Sequence, residues 1–448
     1  MYKDLIKPGS HIHFIGIGGV SMSGLAKILN TKGITVTGSD INHSSYTDSL
    51  EAEGIKIDYP HTANLMRGAN LVVFTAAVKE DNPEMIYAEQ NNIPKIERAK
   101  LLGLIMGHYK QSVAVSGTHG KTTVTSMLAK IMIDAGFDPT VTVGGTLDAI
   151  GGNLRIGKSE SFLTEACEYV DSFLNFFPSI SLILNIEEDH LDYFSGIEQI
   201  KASFRQFASQ TSDKLIVCGD DENIRSALEG FEKITFGFSQ NCDFRAEEIS
   251  ENGFYSEYEL MKNGESVCRV TLSLKGRHNI KNSLAALACA DALGIDVSSA
   301  AKSLGDFKGA RRRLEYKGSR CGFMIYDDYA HHPTEIKATL QAASTIPHNE
   351  IWCIFQPHTY TRTKALLDKF AEALTTRANI IVTDIYAARE KDTGEVHAKD
   401  LADRIDGSVY IKDFEDIKSF ILKNAKPDDI VITMGAGTVS KISDELLK

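Results

Sequence analysis

Three times along this chain a short apolar run of strand length is followed by a longer segment of helical period, and then the pattern restarts. Residues 11–17 read as a strand, 20–32 as a helix, 34–38 and 71–74 as further strands. A second series opens at residues 112–116 and continues through 161–165, 180–185 and 214–218; a third begins near 310, with strands at 323–327, 351–355, 379–383 and 429–433. Strand–helix–strand alternation commits a chain to parallel sheets covered by helices on both faces. With 448 residues, too many for one hydrophobic core, the expectation is an α/β protein of three domains, 1–108, 109–308 and 309–448. Residues 233–275 break the rhythm with alternating β-rich pieces, 254–260 and 266–274, expected as small antiparallel strands at the edge of the middle domain; 279–293, rich in Ala and Leu, is expected as a helix.

The second restart carries the most specific signal. Val113-Ala114-Val115-Ser116 runs into Gly117-Thr118-His119-Gly120-Lys121-Thr122-Thr123, a strand, a glycine turn and a helix start. Gly117 and Gly120 let the backbone approach phosphates, and the N–H groups of the helix start point at them. Lys121 supplies charge near the β- and γ-phosphates, and the Thr122 hydroxyl is placed to hold Mg2+. The loop is a shortened form of GxxxxGKS/T, because Val115 stands where the earlier glycine would fall.

The first restart has its own glycine loop, Gly16-Ile17-Gly18-Gly19-Val20-Ser21, a GxGxxG with Ser21 at the third glycine. Asp40 ends the next strand, where a dinucleotide fold keeps its ribose-binding acid. An NAD-dependent dehydrogenase would share this loop, but it would not need a second, ATP-type loop on its own sheet.

Several polar residues follow strand ends, where open parallel sheets form their ligand crevice. Glu165 and Glu168 follow one such strand and Asp189-His190 another, so Glu165, Glu168 and His190 could converge on the phosphate loop as metal-site residues. Mg2+ prefers oxygen, so His190 also reads as a plain loop histidine. Arg311-Arg312-Arg313 opens the third domain and could send an arginine to a γ-phosphate, or be a solvated basic cluster. Asp327-Asp328-Tyr329-Ala330-His331-His332-Pro333 and Gln356-Pro357-His358-Thr359-Tyr360-Thr361-Arg362 both follow strands and face one crevice, a site for an anionic small molecule.

Together these motifs resemble the Mur ligase family over essentially the whole chain. The resemblance implies a uridine-nucleotide site at Gly16, Gly18, Gly19, Val20, Ser21, Met22 and Ser23 with Asp40, His61 and Thr75. It implies an ATP site at Gly117, Thr118, His119, Gly120, Lys121, Thr122 and Thr123 with Asn282 (from Gly276-Arg277-His278-Asn279-Ile280-Lys281-Asn282), Arg313 and Asp328. Mg2+ would be held by Thr122, Glu168 and His190, with the choice of Glu165 or Glu168 as principal acid left open. His331, His358 and Arg362 would serve the amino acid and the intermediate, and Lys121, Glu168, His190 and Arg313 the catalysis. The implied reaction uses ATP to activate the lactyl carboxylate of UDP-N-acetylmuramate as an acyl phosphate, which the amine of L-alanine attacks. Other amide ligases of this fold and a nucleotide sensor that lost the transfer step are the competing readings. Gly435-Ala436-Gly437-Thr438 lacks the acid usual after the last glycine, and that turn is assigned no role.

Composition narrows the class further. A formal net charge of −12 argues against a nucleic-acid partner, since backbone phosphates attract clustered cations. Seven cysteines without a CxxC pair argue against zinc or a disulfide framework. No signal-peptide core or membrane-length apolar run is evident, so the expectation is a cytoplasmic monomer or homodimer.

Overall fold

The computed structural model describes residues 2–448 apart from Ala76, 252–254, 376–377 and Arg389. By contacts the chain groups into two compact units: residues 1–116, 136–181 and 205–215, and residues 117–135, 182–204 and 216–448. This grouping follows packing, whereas the three expected segments follow the restarts of the strand–helix pattern.

In the first unit, β1 (His11–Ile15), β2 (Thr35–Ser39), β3 (Lys56–Asp58), β4 (Leu71–Phe74) and β5 (Lys95–Glu97) form a parallel sheet in the order β3-β2-β1-β4-β5. The order reverses between β1 and β4, which opens a crevice at their carboxyl ends. β1 buries Ile12, Phe14 and Ile15, and the helix Val20–Thr31 covers it with Met22, Leu25, Ile28 and Leu29. Four more strands belong to this unit: β6 (Gln111–Ser116), β7 (Thr140–Leu147), β8 (Gly152–Arg155) and β9 (Ser161–Ala166). β6 and β7 flank β9 in parallel, and β8 returns antiparallel along β7. The β7–β8 hairpin, which sequence patterning does not anticipate, reaches the start of the helix Val20–Thr31: Asn153 Nδ2 donates to Val20 O at 3.4 Å, and Leu154 lies against Gly24.

The division between the units falls within β10 (Ile180–Ile183) and β11 (Lys214–Cys218). In the second unit β11 and β12 (Ile234–Gly237) are parallel, as are β12 and β13 (Phe244–Glu251). β14 (Ser256–Lys262) and β15 (Glu265–Leu272) then continue antiparallel, so the expected edge strands extend the same sheet. Phe254, included in one expected strand, lies outside the described residues. The Ala/Leu-rich helix spans Arg277–Ala292 and buries Leu284, Leu287 and Cys289. The last sheet orders β16 (Glu315–Arg320), β17 (Phe323–Asp328), β21 (Ile430–Met434), β18 (Ile351–Phe355), β19 (Asn379–Val382) and β20 (Val409–Tyr410), with only β16 antiparallel. The helices Pro333–Ser344 and Leu367–Leu374 cover one face of it through Ile336, Leu340, Phe370 and Leu374, packed on Cys353, Phe355 and Ile432.

Helix starts differ in a way that anticipates function. Ser44, Asn82, Asp221, Asp296 and Asp413 cap their helices with side chains. The helices that follow the two glycine loops, Val20–Thr31 and Lys121–Asp134, have glycine at the N-cap and no side-chain cap. Their first N–H groups are left to other acceptors, which makes each start a ready anion site.

Candidate functional site

The phosphate loop is held open by its two glycines. Gly117 sits at φ 136° and Gly120 at φ 86°; a Cβ at Gly117 would meet Leu184 and Asn185 N at 3.0–3.1 Å, and one at Gly120 would meet Asn282 Oδ1 at 2.8 Å. Asn185 pins the turn with both ends of its amide, accepting from His119 N at 2.7 Å and donating to His119 O at 3.0 Å. Thr118 Oγ1 accepts from Glu187 N at 2.9 Å. Lys121 folds its ammonium back onto the carbonyls of Gly117 and Thr118, where it waits beside the anion cradle. Thr122 and Thr123 are buried in the first helical turn.

This loop forms one wall of a cavity of about 420 Å3. His119, Gly120, Thr123 and Asn282 line it together with Arg313, just ahead of β16, and Asp328 at the end of β17. Arg277 and Lys281 lie over the Phe238 ring at 4.7 and 5.3 Å, beside an apolar end with Phe236 and Leu274. Burial pushes the Asp328 carboxyl up to about 6 against the pull of Arg313. Its oxygens accept from Ala330 N at 2.7 Å and Leu314 N at 2.6 Å, which fixes the backbone around Arg313. Of the arginine triplet, Arg313 lines the cavity, whereas Arg312 is bound to Asp327 at 2.8 Å and to Gly435 O at 2.7 Å. The Gly435 turn, given no role from sequence, is thus an anchor for Arg312.

His119 is the charged centre of this wall. Burial opposes its protonation, but Glu187 and Glu335 outweigh burial and raise it to about 9. Its Nδ1 lies 3.2 Å from Glu335 Oε1; its Nε2 lies 3.4 Å from Glu187 Oε2, an ion-pair separation without hydrogen-bond alignment. The neighbouring histidines behave oppositely. Burial first, then the His119 charge, pushes His332 down to about 4. His358 is also lowered to about 4, by burial and then by His331 and Arg362.

His331, His358 and Arg362 do come together. The His331 and His358 rings are 5.9 Å apart, and Arg362 Nη1 is 3.2 Å from His358 Nδ1. Arg362 also reaches Asp189, whose carboxylate accepts from Arg362 Nε and Nη2 and, through Oδ1, from His190 N at 2.7 Å. His190 takes φ 53°, a strained value for a non-glycine residue and one met where function constrains the chain.

The remaining expected residues belong to the first unit. Glu168 is buried ahead of the turn Tyr169–Asn175, while Glu165 Oε1 accepts from Gly144 N at 2.8 Å and so ties β9 to β7. Asp40 Oδ2 accepts from Gly18 N at 2.8 Å, so this acid shapes the first glycine loop. Ser21 accepts from Arg98 Nη1 at 3.0 Å; Met22 and Ser23 are buried, and Gly16 turns the loop at φ 78°. His61 Nδ1 lies 2.7 Å from Ser39 Oγ and 3.2 Å from the fully buried Glu84, which also contacts His13 Nε2 at 2.9 Å. Thr75 accepts from Val78 N at the end of β4. Glu84 and Glu335 are polar residues of these sites that motif reading does not single out; the signal available for Glu335 is its place three residues after the His332 cap.

Both glycine-cradled helix starts fit phosphate-bearing ligands, and the Thr122 hydroxyl offers the kind of oxygen donor that suits a hard divalent cation. Comparison with known proteins agrees in class. Models of the Mur ligase family match residues 11–110 (Mur ligase family, catalytic domain), 115–290 (Mur ligase middle domain) and 312–437 (Mur ligase, glutamate ligase domain). The chain belongs to the Mur ligase family. Among its relatives, a protein of Caldanaerobacter subterraneus named UDP-N-acetylmuramate–L-alanine ligase is 52% identical, covering 98% of this chain and 97% of that one. The crystal structure of the UDP-N-acetylmuramate–alanine ligase MurC from Thermotoga maritima is similar at TM-score 0.81 and 29% identity over 98% of each chain. A murein peptide ligase from Psychrobacter arcticus is similar at TM-score 0.69 and 27% identity, again over 98% of each. Among the described residues no helix is long and apolar enough to cross a membrane.

Proposed function

We propose that this chain joins L-alanine to the lactyl carboxylate of UDP-N-acetylmuramate, cleaving ATP to ADP and phosphate, in the cytoplasm where these nucleotides are at hand. The observation that carries the reading is the cavity in which the phosphate loop, Asn282 and Arg313 face one another. The Caldanaerobacter subterraneus relative, 52% identical over nearly the full length of both chains, bears the name of this reaction and supports the reading.

ATP phosphorylates the carboxylate in this scheme. The carboxylate oxygen bonds to the γ-phosphorus as the bond to the ADP oxygen breaks, giving an acyl phosphate. The alanine amine then adds to the carbonyl carbon, loses a proton, and the tetrahedral adduct expels phosphate. Lys121 leaves the loop carbonyls to meet the β- and γ-phosphates, and Arg313 and protonated His119 add fixed positive charge on the same wall. Thr122 and His190 would help to hold Mg2+, which would supply further charge neutralisation on the phosphates when bound. Neutral His358 and Arg362 border the site for the amino acid, and the first glycine loop takes the uridine nucleotide.

The test is phosphate release from ATP with UDP-N-acetylmuramate and each amino acid, with product mass read in parallel. Release and amide formation that need both the UDP-sugar and L-alanine support the reading. Turnover with a muramyl-linked peptide in place of alanine would move it to the peptide ligases, and tight NAD binding without ATP turnover would overturn it.

A further inference from the structure

Glu335 is the third residue of the helix Pro333–Ser344, and one of its oxygens closes that helix's capping box. Oε2 accepts from His331 N at 3.0 Å and His332 N at 3.3 Å. A cap needs no more than this, and a glutamine would serve as well. The other oxygen faces the opposite way. Oε1 lies 3.2 Å from His119 Nδ1 in the phosphate loop and 3.8 Å from Arg313 Nη1 in the cavity wall. His331 Nδ1, 3.3 Å from Oε2, also lies 3.0 Å from Tyr329 O, which makes Nδ1 the protonated nitrogen and leaves Nε2 the lone pair. One carboxylate therefore touches two residues of the ATP wall and one of the amino-acid end. The next residue toward the N-terminus repeats the link, since Thr334 Oγ1 donates to Glu187 Oε2 at 2.6 Å and Glu187 flanks the other side of His119.

We infer that Glu335 is a positioning residue that ties the phosphate loop to the amino-acid end of the site, so that cleavage of ATP proceeds only with the amine acceptor's side of the site in register. The inference rests on the amide-ligase reading above. Two observations separate this role from capping alone. The side chain is mostly buried, and its charge is kept: burial works against ionisation, yet His331, His119 and Arg313 hold the carboxyl well below the usual range. A cap on an exposed helix start would need neither. The acceptor of a bare cap also has no reason to meet His119, 216 residues away in the chain.

The experiment uses the full-length chain with Glu335→Gln, His119→Gln and the double variant, measuring phosphate release and amide formed in the same samples. Glutamine retains the cap, so the melting temperature of Glu335→Gln should stay within a few degrees of the parent. Its rate of amide formation should fall tenfold or more, phosphate released per amide should rise above one, and the KM for UDP-N-acetylmuramate should hold. The double variant should be no worse than the poorer single, because both changes break one contact. Glu335→Asp, which keeps the charge and withdraws it by one methylene, should recover part of the coupling and guards against a glutamine variant that folds poorly. One phosphate per amide at the parental rate in Glu335→Gln, or additive losses in the double variant, would overturn the inference. A parent chain that releases no phosphate with UDP-sugar and alanine would instead overturn the amide-ligase reading, a result visible before any variant is made.

Discussion

Arg362 grips Asp189 through Nε at 3.1 Å and Nη2 at 3.0 Å, a two-nitrogen clamp with both side chains about nine-tenths buried. The partners stand 173 residues apart, one on the helix Tyr360–Ala365 after β18, the other in the segment after β10. Removing one member of a buried pair strands the other charge, at roughly 3–5 kcal/mol in comparable cases. Arg362→Ala is therefore expected to lower kcat and raise the KM for alanine by tenfold or more, while the KM for UDP-N-acetylmuramate is spared. Steady-state kinetics with each substrate varied in turn check this.

Lys121→Ala removes the ammonium that now lies on the loop carbonyls and would turn to the transferring phosphate. Loss of one such stabiliser lowers kcat by about 10²–10³. Calorimetric binding of the UDP-sugar should be unaffected. Near-parental ligation by this variant would mean that the loop does not hold the transferring phosphate.

The cation site has a separate signature. Glu168→Gln and His190→Ala should each raise the Mg2+ concentration needed for half-maximal activity, because each lost donor weakens an ion that keeps several waters. Glu165→Gln should shift that concentration less, since Glu165 is already engaged with Gly144 N. Magnesium titrations that overlay the parent curve for Glu168→Gln would remove it from the metal site.

Bulk at Gly18 should obstruct the UDP-sugar for two reasons. A Cβ there would lie 2.8 Å from Asp40 Oδ2 and from Thr47 Cγ2, so the acid that shapes the loop must move as well. Gly18→Val is expected to raise the KM for UDP-N-acetylmuramate at least tenfold, about 1.4 kcal/mol or more, and to leave ATP affinity alone. A variant that weakens ATP and spares the UDP-sugar would show that the two nucleotide sites are assigned the wrong way round.

The charge on His119 gives a pH test. Its folded pKa of about 9 lies above the 6.5 of an unperturbed imidazole, so the folded state holds the proton more tightly than the unfolded one. The stabilisation that Glu187 and Glu335 give protonated His119 is therefore complete below about 6.5 and is lost as pH rises through about 9. The difference in melting temperature between the parent and His119→Gln should shrink over that window. A difference that stays constant from pH 6 to 10 would show that His119 is neutral in the folded chain.

Strand cores and glycine turns were legible in the sequence because both are local. Buried runs such as 71–74, 214–218 and 351–355 coincide with observed strands, and the loops at Gly16 and Gly117 need only glycine's access to positive φ and a helix behind them. The β7–β8 hairpin is not legible in the sequence, since Gly144, Gly145, Gly151 and Gly152 blur its alternation and its contacts lie in a helix more than a hundred residues earlier. Side-chain partners were the larger gap. A sequence marks Asp189, His119 and Glu335 alike as polar residues near turns, but their ionisation and orientation depend on the charge that folding brings to each. His119 and His332 make the point: both are buried histidines beside acids, yet Glu187 and Glu335 raise the first to about 9, whereas burial and the charge of that first ring lower the second to about 4. Local spacing determined where phosphates can be cradled; long-range packing decided which side chains are charged when they arrive, because Coulomb interactions in a buried site act through distance in space and carry no trace in the order of residues.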